Sequence, residues 1–177
     1  YSLHDGSRMK QEAEAVKSLG FGAVFSLEAP LPFRVAGAVC YPGMAQFHPL
    51  KFLYGVAEKE NLNIYENTFV NKLKGTTAYT ANGTIHAQKV IVATHFPFIN
   101  LHGLYPVKVY QQNAYVVAYE NAPDLECTVI DAAENGIFLR NYKGLLIVGG
   151  GSHRTGKNGG GFNVPREFAK RYFPDAK

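Results

Sequence analysis

The stretch "GIFLRNYKGLLIVGGGSHRTGKNGGG", residues 136–161, decides the fold. Two apolar runs, "GIFLRNY" and "LLIVGGG", are joined through "NYKG", whose first two residues end the first run. This pattern is typical of neighbouring antiparallel strands joined by a tight turn. The preceding "CTVIDA" at 127–132 and "AENG" at 133–136 add one more strand and one more turn. The sequence therefore predicts an antiparallel meander of three strands in this part of the chain.

The glycine-rich end of this stretch imitates a phosphate-binding loop, because Gly151, Gly156 and Lys157 spell G-x-x-x-x-G-K after a strand. A true phosphate loop needs Ser or Thr after the lysine and a helix that starts there. Here Asn158 follows, and each of the next three glycines opposes a helix by roughly 1 kcal/mol relative to Ala. An NTPase is therefore disfavoured. Two interpretations stay open: a flexible hairpin tip, or a pliable loop that lies close to a flat ligand.

Composition indicates a globular chain with a core of its own, since 46% of its 177 residues are apolar and 18% are charged. No apolar run approaches the roughly 18 residues of a membrane span. The net charge is +4, but Lys and Arg are scattered rather than clustered, which speaks against a nucleic-acid partner. We therefore expect neither a nucleic-acid partner nor a membrane span.

The cysteines and histidines indicate the compartment and argue against a metal site. Cys40 and Cys127 are far apart in strand-like segments, and two reduced, partly buried thiols of a cytoplasmic protein are favoured over a disulfide. The chain has no C-x-x-C pair, and its six histidines show no H-x-x-x-H pairing. No metal site is predicted.

The rest of the chain predicts helices, a hairpin and one buried strand. Ser7 is the expected N-cap of a helix that ends at Gly20, and Pro49 fits the first turn of a second helix over 48–61. Asn82–Gly83 suggests a type I′ turn within a hairpin at 76–88. The apolar run "KVIVAT" at 89–94 predicts a strand buried on both faces. A Pro- and aromatic-rich loop at 95–106 follows.

These elements predict the α+β class, with a mixed, mostly antiparallel sheet and two or three helices, the last of them over 164–174. We expect a single compact fragment. Residues 1–100 supply helices, strands and the hairpin, and residues 101–177 supply antiparallel strands and the closing helix.

Three segments in this order point to a family: "YPGMAQFHPLKFLYGVAEKENLNIYENTFVNKLK" at 41–74, "ANGTIHAQKVIVATHFPF" at 81–98 and "LLIVGGGSHRTGK" at 145–157. Together they resemble the FAD-dependent oxidoreductases of the D-amino-acid oxidase/glycine oxidase (DAO) family. The resemblance is greatest to bacterial members that carry a C-terminal Rieske iron–sulfur domain. It implies a substrate-binding domain with part of the FAD-domain sheet. It also implies oxidation of the CH–NH bond of an amine or amino acid by hydride transfer to flavin.

The resemblance also implies roles for individual residues. Val70 is expected against the adenine side of FAD, and Ala93 and Thr94 near its pyrophosphate. Three further cofactor-side candidates lie near the flavin ring: Gly150, Gly151 and Ser152. Arg140 is the first candidate to grip a substrate carboxylate with its bidentate fork, and further substrate-side candidates are His48, Tyr115 and His153. An ordinary structural role, such as a core valine, a sheet-edge arginine or a helix-start histidine, is the alternative for each.

The sequence also departs from the family. The G-x-G-x-x-G unit that holds the pyrophosphate and ribose is not in it, and neither are the Rieske cysteines and histidines. We therefore expect a central fragment whose partner is the remainder of its own chain, and which alone binds FAD weakly and is inactive. No acid–base pair emerges, so the catalytic residues stay unknown, and none is needed if the amine arrives neutral. A non-catalytic α+β ligand-binding or interaction module is the alternative function.

Overall fold

A computed structural model describes residues 1–60, 62–99 and 103–177, and within them the chain forms four helices and nine strands. The helices are α1 (Gly6–Ser18), α2 (Pro49–Lys59), α3 (Tyr105–Lys108) and α4 (Asn163–Tyr172). The strands are β1 (Val24–Ser26), β2 (Ala38–Cys40), β3 (Val70–Lys74), β4 (Thr77–Thr80), β5 (Gly83–His86), β6 (Gln112–Tyr119), β7 (Val129–Ile130), β8 (Phe138–Tyr142) and β9 (Leu145–Arg154). All pairs among these strands are antiparallel, and the predicted α+β class is confirmed.

Contacts divide the chain into two units. Unit 1 comprises Tyr1–Gln46 and Gln112–Lys177, and unit 2 comprises Phe47–Gln111. The single fragment with a division near residue 100, expected from the sequence, stays a prediction. Of the expected loop at 95–106, residues 100–102 lie outside the described residues, and its end begins the one-turn helix α3.

The main sheet of unit 1 has the order β6-β9-β8-β7. The predicted meander of β7, β8 and β9 is confirmed, and the turn between the last two is made by Lys143 and Gly144 at φ values of 50° and 78°. Two positive φ values in a two-residue hairpin loop are typical of a type I′ turn. One face of this sheet packs against α4 and carries the core, where Leu139 and Val148 have no exposed surface.

Helix α1 packs against the two-stranded β1-β2 sheet of unit 1. Its N-cap is Asp5, whose carboxylate accepts the backbone N–H of Arg8 at 2.9 Å. This hydrogen bond is the main cause that lowers the pKa of Asp5. The prediction of Ser7 as the cap was wrong, because the Ser7 hydroxyl donates to the Asp5 carboxylate instead, at 2.8 Å. Gly20 follows the C-cap at φ 84° and ends the helix as predicted.

Unit 2 holds α2 and the sheet β3-β4-β5. The predicted hairpin is confirmed as β4 and β5, but its turn differs from the prediction. Thr80 pairs with Gly83, so the loop residues are Ala81 and Asn82. Neither of them has a positive φ, whereas Gly83 has a φ of 152°. The type I′ turn centred on Asn82–Gly83 was therefore wrong, because Gly83 is taken up by the strand.

The predicted buried strand at 89–94 does not form. No strand is assigned there, and Ile91 is 90% exposed. A strand needs a partner for its backbone hydrogen bonds, and among the described residues none pairs with this segment. Helix α2 forms and starts at Pro49 as predicted, but its apolar side is also uncovered. Leu50, Leu53 and Tyr54 lie on that side, and no residue of the helix is buried.

No helix within the described ranges is long and apolar enough to cross a membrane.

Candidate functional site

Strand β9 extends through most of the glycine-rich segment. It runs to Arg154, which pairs with Gln112 of β6. Gly150, Gly151, Ser152 and His153 therefore lie in a strand. The strand predicted for "LLIVGGG" at 145–151 is confirmed, and the prediction of a loop from Ser152 to Arg154 was wrong. The long neighbour β6 explains the difference, because it supplies backbone partners that compensate for the poor strand propensity of glycine.

A β-bulge interrupts the pairing of β9 with β6. Tyr115 pairs with Gly150 and Asn113 pairs with His153. Two residues of β9, Gly151 and Ser152, therefore lie opposite the single residue Ala114 of β6. Gly151 has a φ of 67°, a conformation that costs glycine nothing and other residues about 1 kcal/mol or more. The His153 ring strengthens the bulge, since its Nδ1 lies 3.0 Å from the Gly151 carbonyl oxygen. A carbonyl only accepts, so Nδ1 carries the proton in this contact.

Each of the three consecutive glycines of β9 has a packing reason within unit 1. A Cβ at Gly149 would overlap the ring of Phe138, and one at Gly150 would lie 2.5 Å from Cδ1 of Ile137. A Cβ at Gly151 would lie 2.9 Å from the carbonyl oxygen of Gly159, which folds back over the bulge. These contacts require glycine without any ligand, and the cofactor contact of Gly150, Gly151 and Ser152 stays a prediction.

The structure brings two of the substrate-side candidates together. The rings of Tyr115 and His153 are stacked, with centroids 5.7 Å apart and an angle of 13° between their planes. The edge of the pair is closed by Phe162, whose ring meets that of Tyr115 at 4.9 Å and 70° just before α4 begins. Such aromatic contacts fix ring orientation. Tyr115 and His153 thus form an aromatic cluster on the face of the sheet that α4 covers.

Arg140 lies on the opposite face. Its neighbour Leu139 points into the core under α4, and side chains alternate along a strand. Arg140 pairs with Ile147, while Phe138 on the same face sits over Gly149. We call this surface the open face, and its members are Val116, Ala118, Phe138, Arg140, Tyr142 and Ile147. Arg140 is therefore separated by the thickness of the sheet from the Tyr115–His153 cluster.

The guanidinium of Arg140 is the chemically distinctive group of the open face. The side chain is half-buried, and its Nε is buried without a hydrogen-bond partner. A buried donor that lacks an acceptor costs about 1–3 kcal/mol, and more for a charged group. Val116 on the same face is 49% exposed, so this face is open to solution, although the Nε atom itself is buried. The arrangement suits an anionic, planar acceptor such as a carboxylate.

The remaining candidates belong to unit 2. His48 caps α2, because its Nδ1 accepts the backbone N–H of Lys51 at 3.3 Å. Val70 begins β3 and is half-buried. Thr94 donates its hydroxyl to the carbonyl oxygen of Phe96 at 3.0 Å, and Ala93 before it is exposed. The structure gives His48, Val70 and Thr94 local roles, and the cofactor-side or substrate-side roles of all four residues stay predictions.

No cluster of three or more His, Cys, Asp or Glu side chains suited to a metal ion occurs in residues 1–60, 62–99 and 103–177. The phosphate-loop geometry does not form either. The backbone N–H of Lys157 donates to the Arg154 carbonyl at 2.9 Å in a turn, and the next helix starts only at Asn163.

A titration with ATP and Mg²⁺ tests this conclusion. We expect no saturable binding to the chain, and the same result for Lys157→Ala, because no helix N-terminus faces the turn. Isothermal titration calorimetry of both proteins would measure it. Binding that is present in the natural sequence and lost in Lys157→Ala would contradict the expectation.

Comparison with known proteins now defines the class. The model of the DAO family, described as FAD dependent oxidoreductase, matches residues 4–177. The chain belongs to this family of FAD-dependent oxidoreductases, as its sequence segments predicted.

A relative from Bacillus subtilis (strain 168), named "Putative Rieske 2Fe-2S iron-sulfur protein YhfW", is 29% identical over 162 residues. The match covers 85% of this chain and 32% of the relative, so the chain spans about a third of that protein's length. No solved structure matches the chain significantly.

Proposed function

We propose that this chain supplies the substrate-side sheet of an oxidoreductase that uses FAD to oxidise the CH–NH bond of an amino acid or amine. Membership of the DAO family supports the flavin chemistry. The observation that carries the substrate class is the buried, unpartnered Nε of Arg140 on the open face. A guanidinium binds a carboxylate through two parallel hydrogen bonds, which favours an amino acid over an amine without a carboxylate.

The residues of the open face fit contact with a flat ring. Phe138 and Ile147 are apolar, and the absence of a side chain at Gly149 leaves room for the far end of the Phe138 ring. Apolar side chains exclude water, while Arg140 orients the substrate by its carboxylate. FAD, when bound, supplies the acceptor for the hydride that leaves the carbon next to the amine. In this proposal the chain's residues orient and desolvate, and no residue acts as a general base.

In this proposal the chain supplies only part of the FAD site, because it contains no G-x-G-x-x-G motif for the pyrophosphate. Unit 2 leaves apolar surface uncovered at α2 and at Ile91. Large exposed apolar surface of this kind marks an interaction site. We infer that the remainder of a longer chain covers it and completes the FAD site. The free thiols of Cys40 and Cys127 support a reducing compartment, and we propose the cytoplasm.

A flavin titration tests the proposal. We expect the full-length protein to purify yellow, with FAD released on denaturation. We expect the 177-residue chain alone to be colourless, to take up FAD weakly and to oxidise no amino acid, because the pyrophosphate-binding unit is missing from it. Absorbance spectra and fluorescence titration with free FAD would measure both. A full-length protein that is colourless and does not take up added FAD would overturn the proposal.

A further inference from the structure

Tyr1 lies against the outer edge of the main sheet of unit 1. Strand β7 is the last strand of that sheet. The Tyr1 nitrogen donates to the Ile130 carbonyl oxygen at 2.7 Å, and the Tyr1 carbonyl oxygen accepts the N–H of Ala132, also at 2.7 Å. Tyr1 thus bonds to both neighbours of Asp131, which is the hydrogen-bond pattern of two parallel strands.

Ser2 makes the connection to the second sheet of unit 1. Its N–H donates to the Gly37 carbonyl oxygen at 2.8 Å, and its carbonyl oxygen accepts the Gly37 N–H at 3.4 Å, in an antiparallel bridge next to β2. Tyr1 and Ser2 therefore join β7 to β2, and here the two edges stand two strand spacings apart, roughly 9–10 Å. We call the space that continues back from Tyr1 between β7 and β2 the strand gap.

Backbone groups of β7 point into the strand gap. Alternate residues of a strand direct both their N–H and their C=O to the same edge. Ile130 bonds to Tyr1, so its N–H and the backbone groups of Thr128 point into the gap. Asp131 points the other way, since its N–H donates to the Ile137 carbonyl oxygen at 2.9 Å.

Backbone groups of β2 meet the strand gap from the opposite side. Gly37 bonds to Ser2, so Val39, two residues further, directs its N–H and C=O into the gap. Ala38 belongs to the other edge of β2, where it pairs with Ser26 of β1. Within the described ranges no strand pairs with β7 or β2 on the gap side. Unpaired edges of this kind are templates for a further strand.

We propose that the residues directly before Tyr1 in the full-length protein form a strand that fills this gap and joins the two sheets of unit 1 into one. The proposal rests on the proposed function in one respect, that this chain is part of a longer protein. Continuity with Tyr1 sets the register. The residue directly before Tyr1 exchanges two hydrogen bonds with Val39, while the residue before that one donates to the Thr128 carbonyl and accepts the Ile130 N–H. Proline fits neither position, because both donate an N–H.

The flanking side chains set the chemistry of the added strand. Tyr1, Val129 and Ala38 are buried in the core of unit 1. Side chains alternate along a strand, so the second residue before Tyr1 projects into this core and is expected to be apolar. The residue directly before Tyr1 projects to the opposite face, beside Ile130, which is 62% exposed.

Hydrogen exchange of the full-length protein, read at single residues by NMR, tests whether the gap is filled. We expect the amides of Ile130 and Val39 to exchange roughly 100-fold or more slowly than in an unstructured peptide. The amide of Val148, in the middle of the sheet, is the reference for a folded protein. Exchange of Ile130 or Val39 at the unstructured rate, with Val148 still protected, would overturn the proposal.

Photochemical cross-linking identifies what fills the gap. The photoreactive residue p-benzoylphenylalanine replaces Ile130, whose side chain projects from the sheet and leaves the gap free. We expect an intramolecular link to the three residues before Tyr1, located by mass spectrometry. The matched control places it at Leu19, 73% exposed at the far end of the 13-residue helix α1, and should not link to those residues. A link from position 130 to any other segment, or to a second copy of the protein, would contradict the assigned occupant.

Both readouts are independent of flavin and of turnover. A colourless protein with slow exchange at Ile130 and Val39 would refute the proposed function and retain the added strand. A yellow, FAD-loaded protein with fast exchange at these amides would do the reverse.

Discussion

Replacing Arg140 by methionine in the full-length enzyme is expected to lower kcat/KM for an amino-acid substrate by roughly 30- to 4000-fold. Removing one partner of a buried, hydrogen-bonded charge pair costs about 2–5 kcal/mol, and about 1.4 kcal/mol corresponds to a factor of ten. The loss arises because the substrate carboxylate would be desolvated on the open face without its guanidinium. An amine that lacks the carboxylate should lose far less. Steady-state kinetics on a matched pair of substrates measures the difference.

Two companion variants make the Arg140 test specific. Arg140→Lys keeps the charge but not the planar fork, so its loss should fall between those of the wild type and Arg140→Met. Arg8→Met removes an exposed arginine from α1, changes the net charge equally and should leave kcat/KM unchanged. The FAD content of all variants should match the wild type. An equal loss for both substrates, or a loss that follows FAD content, would contradict the carboxylate role of Arg140.

Local chemistry explains which elements the sequence predicts correctly. The β8–β9 turn is indicated by Gly144, which adopts its positive φ without steric cost. The start of α2 at Pro49 and the end of α1 at Gly20 follow from the backbone limits of proline and glycine. These signals act over two to four residues, so no knowledge of the tertiary structure is needed. The family resemblance was recognisable for the same reason, since its segments are contiguous.

The errors arise where burial or pairing depends on distant segments. The run at 89–94 is apolar enough for a buried strand, but an apolar pattern does not say which segment supplies the hydrogen-bond partner. In the structure this run is exposed and unpaired among the described residues. The wrong prediction of Ser7 rather than Asp5 as the cap of α1 has a more local reason. Both residue types can cap a helix, and the sequence alone does not show which of the two side chains accepts the backbone N–H.

The separation of the candidate site residues was beyond the sequence because it depends on register. Arg140 and Tyr115 both lie on strands, and only the pairing of β8 and β6 with β9 shows that they project from opposite faces. The bulge at Gly151 shifts the register once more before His153. A run of glycines carries no side-chain alternation from which such a shift could be predicted. The stacking of Tyr115 on His153 therefore emerged only from the structure.

Substituting alanine for Gly149 is expected to lower the free energy of unfolding by about 1–3 kcal/mol, the usual cost of forcing extra atoms into a packed site. The new methyl group would overlap the Phe138 ring, which occupies the space above this glycine. The loss should appear without any cofactor, because the conflict lies entirely within unit 1. Urea unfolding followed by circular dichroism measures it.

A double-mutant cycle identifies the Phe138 ring as the cause of this loss. Phe138→Leu makes room above residue 149, so Gly149→Ala should cost less in that background, with a coupling energy of about 0.5–3 kcal/mol. Gly55→Ala is the matched control: Gly55 lies within α2 and no atom lies within 4 Å of the added methyl group. Alanine is favoured over glycine in a helix by about 1 kcal/mol, so this control should be neutral or stabilising. Equal costs of Gly149→Ala in both backgrounds would show that Phe138 does not impose the glycine. A close-approaching ligand would then become the better reason for the glycine at this position.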